Sequence, residues 1–278
     1  MSINDINNAA AAMNQLKARY DGFLDDADGQ IATRQAAYDA LSGNLKGIVD
    51  DKMFQRIYVN AQNGSDTSEG SESDPIETIQ EAFARTTPGS LLEVRLTRGE
   101  TYVISRDLPL NAENCYIVIN TWGDATEPLP VIQQDITNIS NSGYASGFIL
   151  PSCVFRAFDI RFETALNPDN LGLTGFTSFF ETMTQNFFYL RSCEISIGDI
   201  VPFTSRYNEP IWINFYNVDI ERRAGANNST TKLINASGGI LRATGVTLPS
   251  GDAWSDLISG QVYAADGEAR NFITNVQI

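Results

Sequence analysis

The first 52 residues carry an apolar repeat of seven that predicts a long helix. They contain no proline, and apolar side chains recur at the first and fourth positions of successive heptads. A sustained spacing of 3.5 residues keeps one seam of a helix facing a partner helix, which is typical of a coiled coil. Two polar residues, Lys17 and Arg34, interrupt the seam. The predicted seam and oligomerisation residues are Ile3, Ile6, Ala10, Met13, Tyr20, Leu24, Ala27, Ile31, Tyr38, Leu41, Leu45 and Ile48.

This pattern leaves two interpretations of the helix open. It associates with identical chains, or it folds back onto a long apolar groove of its own domain. The strict period of seven favours self-association, because a helix on a globular surface follows a period of 3.6. The mixture of residue types along the seam does not indicate whether two or three helices associate.

After the helical segment, short apolar runs alternate with polar turns. Arg56–Val59 predicts a strand, and the acidic segment Asn60–Pro75 predicts a loop. Apolar residues at helical spacing then predict a short helix near residues 75–85, with Asp74 as its N-cap.

The C-terminal half contains an internal repeat of roughly 25–35 residues, the signature of a solenoid of short stacked strands. One inward row is predicted to contain Phe155, Leu190, Phe215 and Leu241. A second is predicted to contain Ile160, Ile195, Ile220 and Val246. An antiparallel sandwich is the alternative, but no Asn-Gly or Asp-Gly pair lies between two alternating runs of this region.

The start of the β domain resembles the entry of pectate-lyase-like right-handed β-helix domains. About fifty residues carry the resemblance: Tyr58–Gly70, Asp74–Phe83, Pro88–Ser90 and Arg98–Tyr102. It implies that the short helix caps the open end of a β-helix. It implies little about activity, because this fold hosts enzymes and binding proteins alike.

A coiled coil joined to a β-helix resembles the plan of bacteriophage tail fibres and tailspikes. Residues 1–52 would then form a coiled-coil stalk for oligomerisation and attachment. Residues 53–278 would form a mainly β domain, a right-handed parallel β-helix. The resemblance implies a homotrimer in the virion that joins other tail or head proteins through its stalk and contributes to binding a host-surface glycan or protein. The alternatives are a tailspike-type glycan depolymerase and a purely structural connector or decoration protein.

Charge and composition limit the partners and the kinds of catalysis that this chain can have. Its net charge is −15, and it has no histidine. An acidic surface repels nucleic acid, and no apolar run is long enough to span a membrane, so we expect neither partner. The N-terminus lacks a signal-peptide pattern, so we expect synthesis in the host cytoplasm. The absence of histidine excludes Ser-His-Asp and Cys-His catalysis.

The remaining candidate chemistry rests on carboxylates and aromatic rings. Asp159, Glu194 and Asp219 share a repeat position and are predicted to stack, and a pair of such acids can cleave glycans. A solvated row of acids is the simpler interpretation, and we favour a protein without enzymatic activity. The candidate glycan-binding residues are Tyr207, Trp212, Tyr216 and Trp254. The three cysteines fit no metal spacing and are predicted to be free and buried, so neither metal nor cofactor is expected.

Overall fold

The computed structural model describes residues 2–104, 110–174, 178–184, 186–207, 209–263 and 269–278, without side-chain detail at residues 48 and 50–52. The chain divides into two compact units, Met1–Lys52 and Met53–Ile278. There are three helices in the described residues: α1 (Ile3–Met53), α2 (Ile79–Ala84) and α3 (Trp254–Leu257). None of the helices in these ranges is both long enough and apolar enough to cross a membrane.

Helix α1 confirms the predicted N-terminal helix, and its apolar side chains are exposed in the single chain. The exposed fraction is 72% for Met13 and 65% for Ile31, and Ala27 is partly exposed. The side chain of Ile48 lies outside the described residues. Most stability of a protein helix comes from packing an apolar face, and helix α1 by itself supplies no such packing along this seam.

The second unit is built from short strands. In chain order they are β1 (Phe54–Val59), β2 (Leu91–Thr97), β3 (Thr101–Ile104), β4 (Leu110–Asn111), β5 (Tyr116–Trp122), β6 (Val131–Gln134), β7 (Ile136–Ile139), β8 (Ser142–Ala145), β9 (Phe148–Ile149), β10 (Val154–Phe158), β11 (Arg161–Glu163), β12 (Gly172–Thr174), β13 (Ser178–Thr182), β14 (Asn186–Arg191), β15 (Glu194–Ile197), β16 (Val201–Ser205), β17 (Ile211–Tyr216), β18 (Asp219–Arg222), β19 (Ile234–Asn235), β20 (Gly239–Thr244), β21 (Ile258–Ser259) and β22 (Phe272–Thr274).

Three parallel sheets contain most of these strands. The eight-stranded sheet has the order β1-β2-β5-β10-β14-β17-β20-β22, the five-stranded sheet β3-β6-β11-β15-β18, and the six-stranded sheet β4-β9-β13-β16-β19-β21. Successive passes of the chain visit the three sheets in that rotation, as in β14, β15 and β16. The prediction of a mainly β fold with parallel sheets is confirmed. The antiparallel alternative is wrong, since β7 and β8 form the one antiparallel strand pair among the described strands.

Inward side chains of neighbouring strands form continuous apolar rows. The eight-stranded sheet contributes Leu92, Ile117, Phe155, Phe188, Ile213 and Leu241, and also Val94, Ile119, Ala157, Leu190, Phe215 and Ala243. The six-stranded sheet contributes Leu110, Phe148, Phe180, Phe203, Ile234 and Ile258. All of these side chains are buried.

The predicted register of two repeats is wrong by two residues. Phe155 lies opposite Phe188 rather than Leu190, and Leu241 lies opposite Ile213 rather than Phe215. In the second row, Phe162 rather than Ile160 lies opposite Ile195. A shift of two keeps every side chain on its original face, so the alternation of apolar and polar residues does not detect it.

A left-handed turn residue marks the true register. Asp159, Ser192, Asn217 and Gly245 each follow a strand of the eight-stranded sheet, with φ between 51° and 64°. The turns are stacked, since the N–H groups of Asp159, Ser192 and Asn217 donate to carbonyls at the ends of the next strands, at 2.9–3.2 Å. At Gly245 an added Cβ would lie 2.3 Å from Asn217 Oδ1, so a larger residue there would require the Asn217 side chain to move.

The short helix begins later than predicted. Its N-cap is Thr78, whose N–H and hydroxyl both donate to the Asp66 carboxylate at 2.8 Å. The prediction of Asp74 as the N-cap is therefore wrong, and Asp74 instead accepts from the N–H of Glu69. Helix α2 buries Phe83, whose ring centroid lies 5.7 Å from that of Phe148, so it covers one end of the six-stranded sheet's inward row.

Candidate functional site

The predicted stack of three acids forms only in part. Glu194 of β15 and Asp219 of β18 lie opposite each other. Asp159 is not in this row, because it occupies the left-handed turn before β11. The position opposite Glu194 belongs to Arg161, so the expected three-acid stack is wrong for Asp159.

Arg161 is the centre of an ion-pair network across three neighbouring strands. Its Nε donates to Glu163 Oε1 at 2.8 Å, its Nη1 to Glu194 Oε2 at 2.7 Å, and its Nη2 to Glu221 Oε1 at 2.6 Å. Arg223 binds the second oxygen of Glu163 at 2.8 Å. Burial works against the charge of Arg161, but the hydrogen bonds that it donates to the three carboxylates outweigh this effect and raise the pKa of Arg161.

This network suits a structural clamp better than glycan cleavage. Cleavage needs two acids that can both reach the glycosidic bond, and a guanidinium partner that binds a carboxylate competes with the substrate for it. Glu163, Glu194 and Glu221 each bind such a partner. Arg161 thereby ties β11, β15 and β18 together through their side chains.

Glu181 of β13 is a carboxylate in a different environment. It is buried, and Arg206 Nε lies 3.1 Å from its Oε1. Burial raises the pKa of Glu181, and the nearby charge of Arg206 lowers it less. Among the described residues, no group of three or more Asp, Glu, Cys or His side chains could hold a metal ion.

The outward face of the eight-stranded sheet carries a second row of apolar side chains, here called the apolar row. Each member lies opposite the next in register, and every one of the eight strands contributes one residue. All eight are partly or fully exposed. The apolar row consists of Phe54, Leu91, Tyr116, Val154, Phe187, Trp212, Ile240 and Ile273.

Arginines and further aromatic rings lie beside the apolar row on the same face. The Arg156 guanidinium lies over the Tyr189 ring at 4.8 Å and the Phe158 ring at 5.4 Å, and it donates to the Tyr116 hydroxyl at 2.8 Å. Arg191 lies over the Tyr216 ring at 5.6 Å. These cation–π contacts hold the arginine side chains against the sheet.

Two of the four candidate glycan-binding residues share this face. Trp212 and Tyr216 point outward from β17, with exposed fractions of 39% and 41%. Tyr207 is exposed in the turn after β16. Trp254 is buried in α3 and stacks on Phe215 with a centroid distance of 6.4 Å, so we remove it from the candidates.

Sequence reasoning missed the apolar row because its members come from eight separate strands. A local signal was available, since most of them directly precede an inward apolar residue. Leu91-Leu92, Val154-Phe155 and Ile240-Leu241 are examples of such doublets. A strand with one face in water is expected to alternate apolar and polar residues. An apolar doublet is instead typical of a strand that is covered on both faces.

The similarity to known proteins is distant. No protein-family model matches the sequence, and no curated protein matches it. Among solved structures, a rhamnogalacturonan lyase is similar at a TM-score of 0.39 and 14% identity, over 70% of this chain and 53% of the lyase. The GH136 lacto-N-biosidase from Eubacterium ramulus is similar at a TM-score of 0.28 and 14% identity, over 70% of this chain and 34% of that enzyme in its selenomethionine form.

The native form of that biosidase gives the same TM-score and identity, over 75% of this chain and 35% of the enzyme. This chain therefore spans about half the length of the lyase and about a third of the biosidase. At TM-scores below 0.5, these similarities carry no conclusion about the activity of this chain.

Proposed function

We propose that this chain is the protomer of a homotrimeric virion fibre, with α1 as a coiled-coil stalk and the strands as a right-handed parallel β-helix. The exposed heptad seam of α1 is the observation that carries the proposal. Eleven of the twelve seam residues have described side chains, and all eleven are partly or fully exposed along α1. A helix with an uncovered apolar seam is expected to associate.

The rotation of the chain among three sheets supports the β-helix. Five successive passes, from β2 to β19, each add one strand to each of the large sheets in turn, and the inward rows run continuously from pass to pass. Connections between parallel strands of one sheet are right-handed in nearly all proteins, which supports that hand.

Two parts of the proposal rest on the combination of a helical stalk with a β domain in one chain. These are the placement in a phage tail and the contribution to host-surface binding. Exposed Tyr207 and Tyr216 are the side chains we assign to a host glycan or protein. The depolymerase alternative gains no support from the candidate acids, because Arg161 clamps Glu194 and Asp159 lies in a separate turn.

Light scattering after size exclusion tests the oligomer. We expect a mass of three times the 30.5 kDa chain. The double variant Leu24→Asp with Ile31→Asp places charges in the seam and is expected to give a monomer. The matched control Ala32→Asp with Ala36→Asp adds the same charge at outward heptad positions and is expected to keep the mass. A monomeric wild-type protein would contradict the proposal.

Cell binding tests the proposed role. The labelled oligomer is expected to bind whole bacteria of a susceptible strain, and Tyr207→Ala with Tyr216→Ala is expected to reduce that binding while the oligomer mass stays unchanged. Equal binding by this variant would remove both tyrosines from the receptor site. Failure of the wild-type oligomer to bind any strain of a broad panel would favour the connector alternative.

A further inference from the structure

We propose that the apolar row on the eight-stranded sheet is the contact surface between the β domains of the oligomer, with a second copy of this chain as its occupant. The inference rests on the proposed oligomer and adds to it the face through which the β domains meet. In this arrangement the rows of all copies face a common rotation axis.

The composition of the apolar row fits a protein surface rather than a sugar. A carbohydrate site needs several polar groups that converge on the ligand, whereas the centre of a protein interface is apolar and rich in aromatic residues. Polar side-chain atoms in the row belong only to Tyr116 and Trp212, and the Tyr116 hydroxyl already accepts from Arg156. The other six members are hydrocarbon side chains.

The dimensions of the row fit an interface that works together with the stalk. Eight strands at about 4.8 Å spacing give a row ~34 Å long. With side chains about 10 Å across, it offers on the order of 300 Å² per copy, whereas a stable interface needs about 800 Å² on each partner. The row alone is therefore too small to hold two copies together, and it needs a tether.

The chain supplies that tether at the first member of the row. Phe54 directly follows Met53, the last residue of α1, with no linker between them. Association of the stalks therefore holds the Phe54 ends of the apolar rows of all copies close together. This raises the effective concentration of each row with respect to the others. An independent partner protein would have no such advantage, and this favours a second copy as the occupant.

Cross-linking of cysteine variants in the full-length protein tests this arrangement. Around a rotation axis, equal positions of the copies face one another, so Trp212→Cys is expected to give a dimer band with a short bismaleimide on a denaturing gel. Because each chain then has one accessible thiol, the reagent joins two copies and the third copy of a trimer runs as a single chain. Val103→Cys is the matched control, because Val103 also points outward with an exposed fraction of 46%, but from the five-stranded sheet. It is expected to remain a single chain on that gel. The three native cysteines are buried.

The outcomes separate this inference from the proposed oligomer. If light scattering gives a trimer, but Trp212→Cys reacts with a monofunctional maleimide as fast as Val103→Cys and does not cross-link, the inference is wrong and the trimer stands. If the protein is a monomer, both are wrong. Should Trp212→Cys fail to fold, Ile273→Cys at the edge strand of the same row serves instead, with the same expected dimer band.

Discussion

Replacement of Phe180 by alanine is the sharpest test of the core register. The Phe180 ring is buried and stacks between Phe148 and Phe203, with centroid distances of 4.9 and 4.8 Å and interplanar angles of 16° and 12°. It also contacts the ring of Phe188 edge-on at 5.4 Å. It therefore joins the inward row of the six-stranded sheet to that of the eight-stranded sheet.

The expected loss in the free energy of unfolding follows from the cavity that Phe180→Ala leaves. Large-to-small changes of a buried phenylalanine cost about 3–5 kcal/mol, and the cost is greatest where the surroundings do not collapse. Here the rings on both sides belong to separate strands held by their own ladder hydrogen bonds. We therefore expect a loss of about 4 kcal/mol for Phe180→Ala, and under about 1.5 kcal/mol for Phe180→Leu, which keeps most of the volume.

Urea unfolding followed by circular dichroism measures these changes. Tyr207→Ala is the control, because Tyr207 is exposed and its truncation is expected to cost within about 0.5 kcal/mol. A loss for Phe180→Ala no larger than that of the control would refute the stacked row. In that case the passes of the chain would not align as the register requires.

Two further predictions concern titratable groups. Burial raises the pKa of the Cys153 thiol to about 11 and that of Cys193 to about 12, so neither is expected to react with a thiol reagent at neutral pH until the protein unfolds; a colorimetric thiol count that finds both reactive in the native protein would disprove this. Burial also raises the pKa of Glu181, so the folded protein favours the protonated carboxyl group. The contribution of this group to the free energy of unfolding is therefore present in acid and is lost as the pH rises through the pKa of the folded protein. Glu181→Gln is expected to raise the Tm at neutral pH but not in acid, and thermal melts across pH would contradict this by showing a lower Tm at neutral pH.

The sequence predicted which faces are buried more reliably than which residues are neighbours. The heptad seam is a local pattern, so helix α1 could be recognised from it alone. The alternation around Phe155 and Ile195 likewise identified inward residues correctly. The residues that lie opposite Phe155 and Ile195 on the neighbouring strands are set by the position of the left-handed turn. That turn position holds Asp159, Ser192 and Gly245, which are chemically too different for the sequence to reveal them as equivalent.

The candidate sites depended on this same register. With Asp159 placed opposite Glu194, the sequence indicated a row of acids; with Arg161 there, the row becomes an ion-pair network. Trp254 was misassigned because it belongs to a four-residue helix whose burial comes from contact with Phe215. Such contacts between distant segments leave no periodic pattern in the sequence.

The apolar row also bears on how a chain of this kind can change length during evolution. Phe155, Phe188, Ile213 and Leu241 occupy one inward row and are 33, 25 and 28 residues apart, so one pass of the chain tolerates different loop lengths. Each pass also adds one residue to the outward apolar row. Duplication of the gene segment for a single pass would therefore extend the buried core and the outward row by one step together, and a longer descendant would inherit a matching surface without separate selection for it.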